Sequence, residues 1–391
     1  MIQVNQLNNQ MKKICVIGLG HVGLPLACTL AICGFEVHGY DNDQHVISSL
    51  KSGKQLNVEK SLEKLVLQAQ SHSLNFSTSP VSGDIYVIAV PTHLGKDNNG
   101  DLSHVYAAID SIKPMLRPRN LILIESTCPI GTTDQIAQML DDIYVAYCPE
   151  RVLPGNILYE LIHNERVVGG VDKTSTQLAV AFYQSFVKGK VHATDARTAE
   201  AVKLAENTYR DVNIAFANEL SMIADQVNLD VNQIIRLANR HPRVNILEPG
   251  SGVGGHCIAI DPWFLAAAAP DYSLLTVQAR RVNIKKTEWV IQKIRDAIKK
   301  YDAKSIACLG LTYKPDVGDT RESSSLLIAK TLEKEITVHS VDPYVNHTKP
   351  LKEAIKMADI VIGLVAHREF QNLPAEQMHG KIVLDFGRVF K

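Results

Sequence analysis

A chain of 391 residues with 46% apolar content is long enough for two or three domains with substantial cores. Lys plus Arg and Asp plus Glu each total 41, so the formal charge is zero; neither a nucleic-acid-binding surface nor a basic membrane patch is expected. No run of about 18 apolar residues is present to span a bilayer, and the Asn- and Gln-rich segment 1–10 lacks the pattern of a signal peptide. Seven cysteines, at 15, 28, 33, 128, 148, 257 and 308, show no Cys-x-x-Cys spacing, and no His-x-x-x-His is found. That supports neither a disulfide framework nor a metal site, and fits a reduced cytoplasmic enzyme.

In chain order, segments 13–17, 36–40, 85–90, 121–125 and 144–147 are near-continuous apolar runs separated by helical patterns. Such runs predict buried strands of a parallel, doubly wound sheet. From 196 to 228 a single helical pattern runs without Pro or Gly, with Asp195 as its N-cap and Val202, Ala205, Tyr209, Val212, Phe216, Leu220 and Ile223 recurring on one side. A helix of about 30 residues would run about 45 Å, long enough to join domains and subunits. A second helical block, 276–301, precedes four further strand-like runs at 304–309, 336–341, 360–365 and 381–385. The predicted fold is therefore α/β, two Rossmann-like doubly wound lobes joined by a long central helix. The divisions are a disordered extension 1–10, a dinucleotide-binding domain 11–194, a central helical domain 195–300 and a second α/β domain 301–391, with a ligand cleft between the lobes.

The first strand leads into Gly18-Leu-Gly20-His21-Val22-Gly23, and a helical segment follows. Gly18 suits a tight turn, Gly20 a close approach of backbone to pyrophosphate, and Gly23 a close helix–strand contact, with the helix N-terminus facing the anion. Asp41 ends the second strand, 21 residues past Gly20. An acid there accepts from both ribose hydroxyls and repels a 2′-phosphate, which selects NAD over NADP.

The segment Gly250-Ser-Gly-Val-Gly-Gly-His-Cys257-Ile-Ala-Ile-Asp261 places one thiol after four glycines in six residues. Cys257 is a candidate nucleophile, and Asp261 a candidate for handling protons or fixing water. Lys203 and Asn207, four apart on the long helix, share a face and suit an oxyanion, although such pairs are also common on helix surfaces. Thr127 and Glu150 end predicted strands of the first lobe, on the side where open sheets bind ligands. In the second lobe no GxGxxG follows the first strand. Lys314 and Arg321 stand there instead, suited to a phosphorylated ligand or to an ordinary capped helix with solvated charges.

Six motifs in order resemble the UDP-glucose/GDP-mannose dehydrogenase family from Met11 onward. They are the glycine fingerprint with Pro91-Thr92, Glu125-Ser-Thr-Cys-Pro-Ile-Gly131, Cys148-Pro-Glu-Arg, Ala199-Glu-Ala-Val-Lys203-Leu-Ala-Glu-Asn207, the Cys257 loop, and Lys314 followed by Asp319-Thr-Arg321-Glu-Ser. The runs 209–219, 238–246 and 252–259 narrow the resemblance to the branch acting on UDP-N-acetyl-D-mannosamine. Ile258-Ala-Ile-Asp261 lacks the lysine that the glucose branch carries after its cysteine.

The resemblance implies a four-electron, NAD-dependent oxidation of a sugar C6 alcohol to a carboxylate, serving a bacterial surface polymer. The alternative is the same chemistry on UDP-N-acetylglucosamine or UDP-glucose. It implies Cys257 as nucleophile, Lys203 and Asn207 at the oxyanions, and Asp261, Thr127 and Glu150 at water. Gly18, Gly20, His21, Val22, Gly23, Asp41, Pro91, Thr92, Thr127 and Arg321 would meet the cofactor. Glu150, Arg151, Val152, Lys203, Asn207, Arg210, His241, Arg243, Gly254 and Lys314 would meet the UDP-sugar. A homodimer through the long helix is expected, with no metal, nucleic acid or membrane partner. His256, beside the thiol, receives no role at this stage. A two-electron hydroxyacid dehydrogenase would share the first-lobe fingerprint but leave the cysteine loop unused.

Overall fold

The structure, a computed structural model, describes residues 13–52, 60–95, 98–151, 157–371, 373 and 375–390. The extension 1–10 and Val152 lie outside the described residues. The chain divides into two compact units, one to Ala205 and one from Glu206.

In the first unit the strands are β1 (Lys13–Ile17), β2 (Glu36–Tyr40), β3 (Leu74–Ser77), β4 (Ile85–Ile88), the short pair β5 (His93–Leu94) and β6 (Gly100–Asp101), β7 (Leu121–Ile124), β8 (Tyr144–Tyr147), β9 (Arg166–Gly170) and β10 (Val191–Asp195). Eight of them form one sheet in the order β10-β9-β8-β7-β4-β1-β2-β3. Alternation along β1 explains its unbroken apolar run: Ile14 and Val16 enter one core, Cys15 and Ile17 the core on the opposite face. The sheet is parallel except where β9 runs antiparallel to β8. Strands β3, β9 and β10 go beyond the sequence expectation. The β9 sequence Arg-Val-Val-Gly-Gly is not among the predicted strands; a Cβ at Gly169 would lie 2.1 Å from the Asp195 carbonyl oxygen, so glycine is what lets β9 and β10 pair.

The long helix is observed at Ala196–Gln226. Asp195 caps it, accepting from the Thr198 amide at 2.9 Å and hydroxyl at 2.6 Å. From Glu206 onward its buried side combines Ala215, Ala217 and Ala224 with hydrogen-bonded polar side chains. Asp211 accepts from Arg280 at 2.6 Å and Asn283 at 2.7 Å, Asn218 donates to Asn283 at 2.9 Å, and Lys286 donates to Ser221 at 2.8 Å. The partners belong to a second helix, Leu274–Tyr301. The expected apolar stripe is thus not the intrachain contact. Tyr209, Phe216 and Ile223 are 71%, 52% and 52% exposed.

The second unit ends in a parallel sheet of order β12-β11-β13-β14, comprising β11 (Ser305–Leu309), β12 (Thr337–Val341), β13 (Ile360–Gly363) and β14 (Ile382–Asp385). Its strands likewise feed separate cores on the two faces. No helix among the described residues is long and apolar enough to cross a membrane.

Candidate active site

At the end of β1 the chain turns through Gly18 at φ +89°, where a Cβ would lie 2.6 Å from the Ala89 carbonyl oxygen. Gly23 opens the helix Gly23–Ile32, and a Cβ there would lie 1.9 Å from the Gly18 carbonyl oxygen. At Gly20, by contrast, nothing stands within 4 Å, which leaves the space a pyrophosphate needs. The helix has no side-chain cap, so its first-turn amides have no side-chain acceptor. The Asp41 carboxylate accepts the Leu19 and Asp43 amides, both at 2.9 Å, and is only half-buried. One bond at each oxygen leaves acceptor capacity for two ribose hydroxyls. The Thr92 hydroxyl, just past β4, is buried without a partner among the described residues. These features fit an NAD cradle; His21 and Pro91 are exposed beside it and Val22 half-buried.

A buried charge cluster follows β7 and β8. Glu150 meets Arg166 at 3.0 Å, with both side chains almost wholly buried. Its second oxygen accepts the Arg151 amide at 2.5 Å, and its main-chain carbonyl accepts the Lys203 ammonium at 2.6 Å. Glu125 accepts the Tyr183 hydroxyl at 2.7 Å. Burial first, and the Glu150 charge second, push the Glu125 carboxyl up to about 7. Burial is the largest single influence on the Arg166 guanidinium and would depress it, but Glu150 together with Cys148, Glu125 and Tyr183 outweighs it and the net direction is upward. Thr127 is half-buried just past β7. Arg166 and Glu125 were missed as site residues, because a lone arginine opening a strand carries no signal until its carboxylate partner is known.

The thiol loop belongs to the second unit. A Cβ at Gly254 would lie 2.4 Å from the Glu322 carbonyl oxygen, and one at Gly255 would lie 3.0 Å from the Tyr313 ring. The glycines therefore admit the chain's own connection between β11 and the helix Ser324–Leu332, rather than a ligand alone. The Gly255 amide donates to the Arg321 carbonyl at 3.1 Å, and the Ile260 and Asp261 amides donate to the Cys257 carbonyl at 3.0 and 2.8 Å. Asp261 starts the helix Asp261–Ala268 and accepts from Asn207 at 2.6 Å, with both side chains buried. Cys257 Sγ lies 3.2 Å from His256 Nδ1. Five of the other cysteines are buried, and Cys15, Cys28, Cys148 and Cys308 are pushed up to about 11 to 12 by burial. Cys128 goes the same way, and exposed Cys33 is raised too, so the thiol placed for chemistry is Cys257.

Beyond β11 the turn at Gly310 repeats the one at Gly18. The Gly310 amide donates to Val341 at 2.8 Å as Gly18 does to Tyr40 at 2.8 Å, and Asp342 accepts the Leu311 and Tyr344 amides as Asp41 accepts Leu19 and Asp43. Asp342, however, is buried and also takes the Thr312 amide at 3.1 Å and His367 Nε2 at 3.0 Å. Its Oδ2 carries three of these bonds and the carboxylate is buried, which bars a second ribose of the first kind. Lys314 is half-buried with its ammonium 5.8 Å from the Tyr313 ring centroid, and Arg321 pairs with Asp319 through two nitrogens. Arg210 is exposed and its charge reaches Tyr313; His241 and Arg243 are exposed in the turn after the helix Val231–Ala238.

The models of the UDP-glucose/GDP-mannose dehydrogenase family match residues 12–187 (NAD binding domain), 197–285 (central domain) and 307–391 (UDP binding domain). The chain is 46% identical over 393 residues to a UDP-N-acetyl-D-mannosamine dehydrogenase of Methanocaldococcus jannaschii, covering 96% of this chain and 92% of that one. It is 41% identical over 402 residues to an NDP-N-acetyl-D-galactosaminuronic acid dehydrogenase of Ralstonia nicotianae, covering 96% and 95%. Among solved structures, a UDP-N-acetyl-mannosamine dehydrogenase from Staphylococcus aureus superposes with a TM-score of 0.90 at 40% identity, covering 97% of this chain and 96% of that one.

Removing Arg166 strands the buried Glu150 charge. Arg166→Met should destabilise the first unit by about 3–5 kcal/mol, read as a fall in urea midpoint; a change under about 1 kcal/mol would contradict the pairing. Glu125 gives a pH test. Its folded carboxyl stays protonated up to about 7 while an unfolded one ionises near 4.5, so the stability lent by the neutral acid is present at low pH and lost as pH rises through about 7. Glu125→Gln removes that loss. Its stability relative to wild type should climb by about 1–3 kcal/mol between about pH 5 and about pH 8, and a pH-independent difference would refute this reading.

Proposed function

The chain belongs to the UDP-glucose/GDP-mannose dehydrogenase family, and we propose that its substrate is UDP-N-acetyl-D-mannosamine, oxidised at C6 from alcohol to carboxylate. The reaction class is carried by Cys257, set 3.2 Å from an imidazole in a loop anchored at both ends. The sugar rests on the likeness to the named relatives over nearly the whole chain.

NAD, when bound, accepts the hydride at each of the two oxidations. The remaining work falls to the protein. An aldehyde has no further hydride to release until a nucleophile adds to its carbon, and Cys257 supplies that nucleophile as a thiohemiacetal. Once the adduct reaches the thioester level, water releases the carboxylate. In this reading Lys203 and Asn207 donate to the oxygen that becomes negative during addition. Asp261, oriented by Asn207, and Glu150 with Thr127 hold the hydrolytic water. Gly18, Gly20, His21, Val22, Gly23, Asp41, Pro91, Thr92, Thr127 and Arg321 meet the cofactor. Lys314 takes the diphosphate, and Arg151, Arg210, His241, Arg243 and Gly254 line the sugar nucleotide.

We also assign the exposed stripe Tyr209, Phe216 and Ile223 to a homodimer. Residues spaced by seven lie on one helical face, and this face is apolar where the intrachain face carries hydrogen-bonded polar side chains.

With purified protein and excess NAD, two NADH should form per UDP-N-acetyl-D-mannosamine consumed. No turnover with this sugar, but turnover with its C2 epimer, would move the assignment to that epimer. Cys257→Ala should lower uronate formation by about 1000-fold or more, and near-normal uronate formation would remove the nucleophile. For the dimer, sedimentation should give twice the chain mass for wild type and one chain mass for Phe216→Glu combined with Ile223→Glu. A monomeric wild type would refute the interface.

A further inference from the structure

The thiol has a partner that the reading above leaves without work. His256 Nδ1 lies 3.2 Å from Cys257 Sγ, within hydrogen-bonding reach of sulfur. The main chain around the pair is fixed. The preceding glycine is bonded to Arg321, and the Cys257 carbonyl accepts two amides from the start of the next helix. Sulfur and imidazole are therefore held by backbone bonds on either side of them.

We propose that His256 is the acid–base partner of Cys257, taking the thiol proton as sulfur adds to the aldehyde and returning it when the thioester is cleaved. The proposal rests on the reading of Cys257 as the nucleophile. In the addition the S–H bond breaks and its proton passes to the ring nitrogen. The S–C bond forms as the carbonyl π pair moves to oxygen, which takes a proton from solvent water and returns it when the thiohemiacetal is oxidised to the thioester. In hydrolysis the water oxygen bonds to the carbonyl carbon and loses one proton to solvent, the C–S pair returns to sulfur, and the imidazolium proton restores the thiol. The net change is thioester plus water to acid plus thiol.

Four groups that touch this pair by bond or charge are poorly suited to the task. Arg321 feels the Cys257 charge but cannot accept a proton, and its guanidinium is paired with Asp319. Tyr313 also feels the Cys257 charge, and burial first of all pushes its phenol upward, so it stays protonated. Asp261 accepts from Asn207, and its amide is bonded to the Cys257 carbonyl. Asp319 feels the His256 charge and is itself held below the usual carboxylate range, burial opposing and its bonds to Arg321 prevailing. It is thus an anion that favours an imidazolium beside it. An imidazole titrates where a thiol proton must be accepted and given back. His256 is exposed, so its proton can equilibrate with water between turnovers.

The test is the rate of iodoacetamide alkylation of Cys257, followed by mass spectrometry on the intact enzyme without sugar, from about pH 6 to about pH 9. Wild type should show an inflection below the ordinary thiol value of about 8.5. His256→Gln should move it up by about one pH unit or more and slow alkylation at about pH 7 at least five-fold. Superimposable profiles would overturn the proposal. Should His256→Gln fail to give a cooperative melt, the thiolate ultraviolet absorbance of wild type minus Cys257→Ser decides instead. An inflection at or above about 8.5 refutes the pairing and one well below it upholds it. Because no sugar is present, the result is independent of the substrate assignment, whereas uronate formation by Cys257→Ala would sink the nucleophile itself.

Discussion

A side chain at position 254 would place its Cβ 2.4 Å from the Glu322 carbonyl oxygen, and one at 255 would press on the Tyr313 ring. Backbone cannot yield at 2.4 Å, and Gly255 stands at φ +81°, so the docking of the thiol loop on the connection after β11 depends on glycine at both positions. Much follows from that contact. It lets Gly255 bond to Arg321, places Cys257 where Arg321 and Tyr313 feel its charge, and leads directly into the helix whose first residue is Asp261. Cys257, Asp261 and the start of the UDP-binding domain are thereby set by one close approach within a single compact unit.

A second constraint is the number of bonds on a carboxylate. Asp41 and Asp342 end the second strands of their sheets and bind the same kind of backbone turn, after Gly18 and Gly310 at φ +89° and +91°. What separates them is the count of remaining lone pairs. Asp41 is half-buried and spends one bond on each oxygen, whereas Asp342 is buried and also bonded to Thr312 and His367. Since the Asp316 amide donates to His367 Nδ1 at 3.0 Å, that nitrogen is an acceptor and Nε2 carries the proton given to Asp342. The same turn thus leaves acceptor capacity open in the first sheet and supports the Lys314 loop in the second.

The sequence made the first of these turns legible and hid the other. GxGxxG after an apolar run with an acid past the second strand is a local pattern, and local patterns survive without coordinates. The acid at 342 acquires its meaning from a histidine 25 residues further on and an amide 26 residues back, which only the folded chain brings together. The same holds for Arg166. Nothing in Arg-Val-Val-Gly-Gly announces a strand, because its glycines answer to contacts with Asp195 and with the helix Lys173–Gln184. Nor does anything there announce a partner for Glu150. The nine strands read from apolar runs all exist, with ends shifted by no more than two residues. The long helix was legible too, but its facing was inverted, since burial on its inner side is achieved by alanines and hydrogen-bonded Asp, Asn and Ser rather than by the apolar stripe.

That inversion bears on how the site is held. Asp211 and Asn218, on the long helix, are tied by Arg280 and Asn283 to the helix that follows the thiol loop and its Asp261 segment. Asn207 lies one turn before Asp211 on that long helix, and it grips Asp261 directly. The Gly250 amide is bonded to Asn218 as well, so the loop entrance is pinned to the same helix. Buried polar contacts of this sort are directional, and they specify register in a way that apolar packing does not. A slip of one helical turn would release Asp261, the loop entrance and Asp211 together. Apolar residues on this face would permit more than one register, whereas these bonds permit one. The bonds of the inner face hold Asp261 and the loop entrance in one geometry, while Tyr209, Phe216 and Ile223 stay exposed on the other side of the helix.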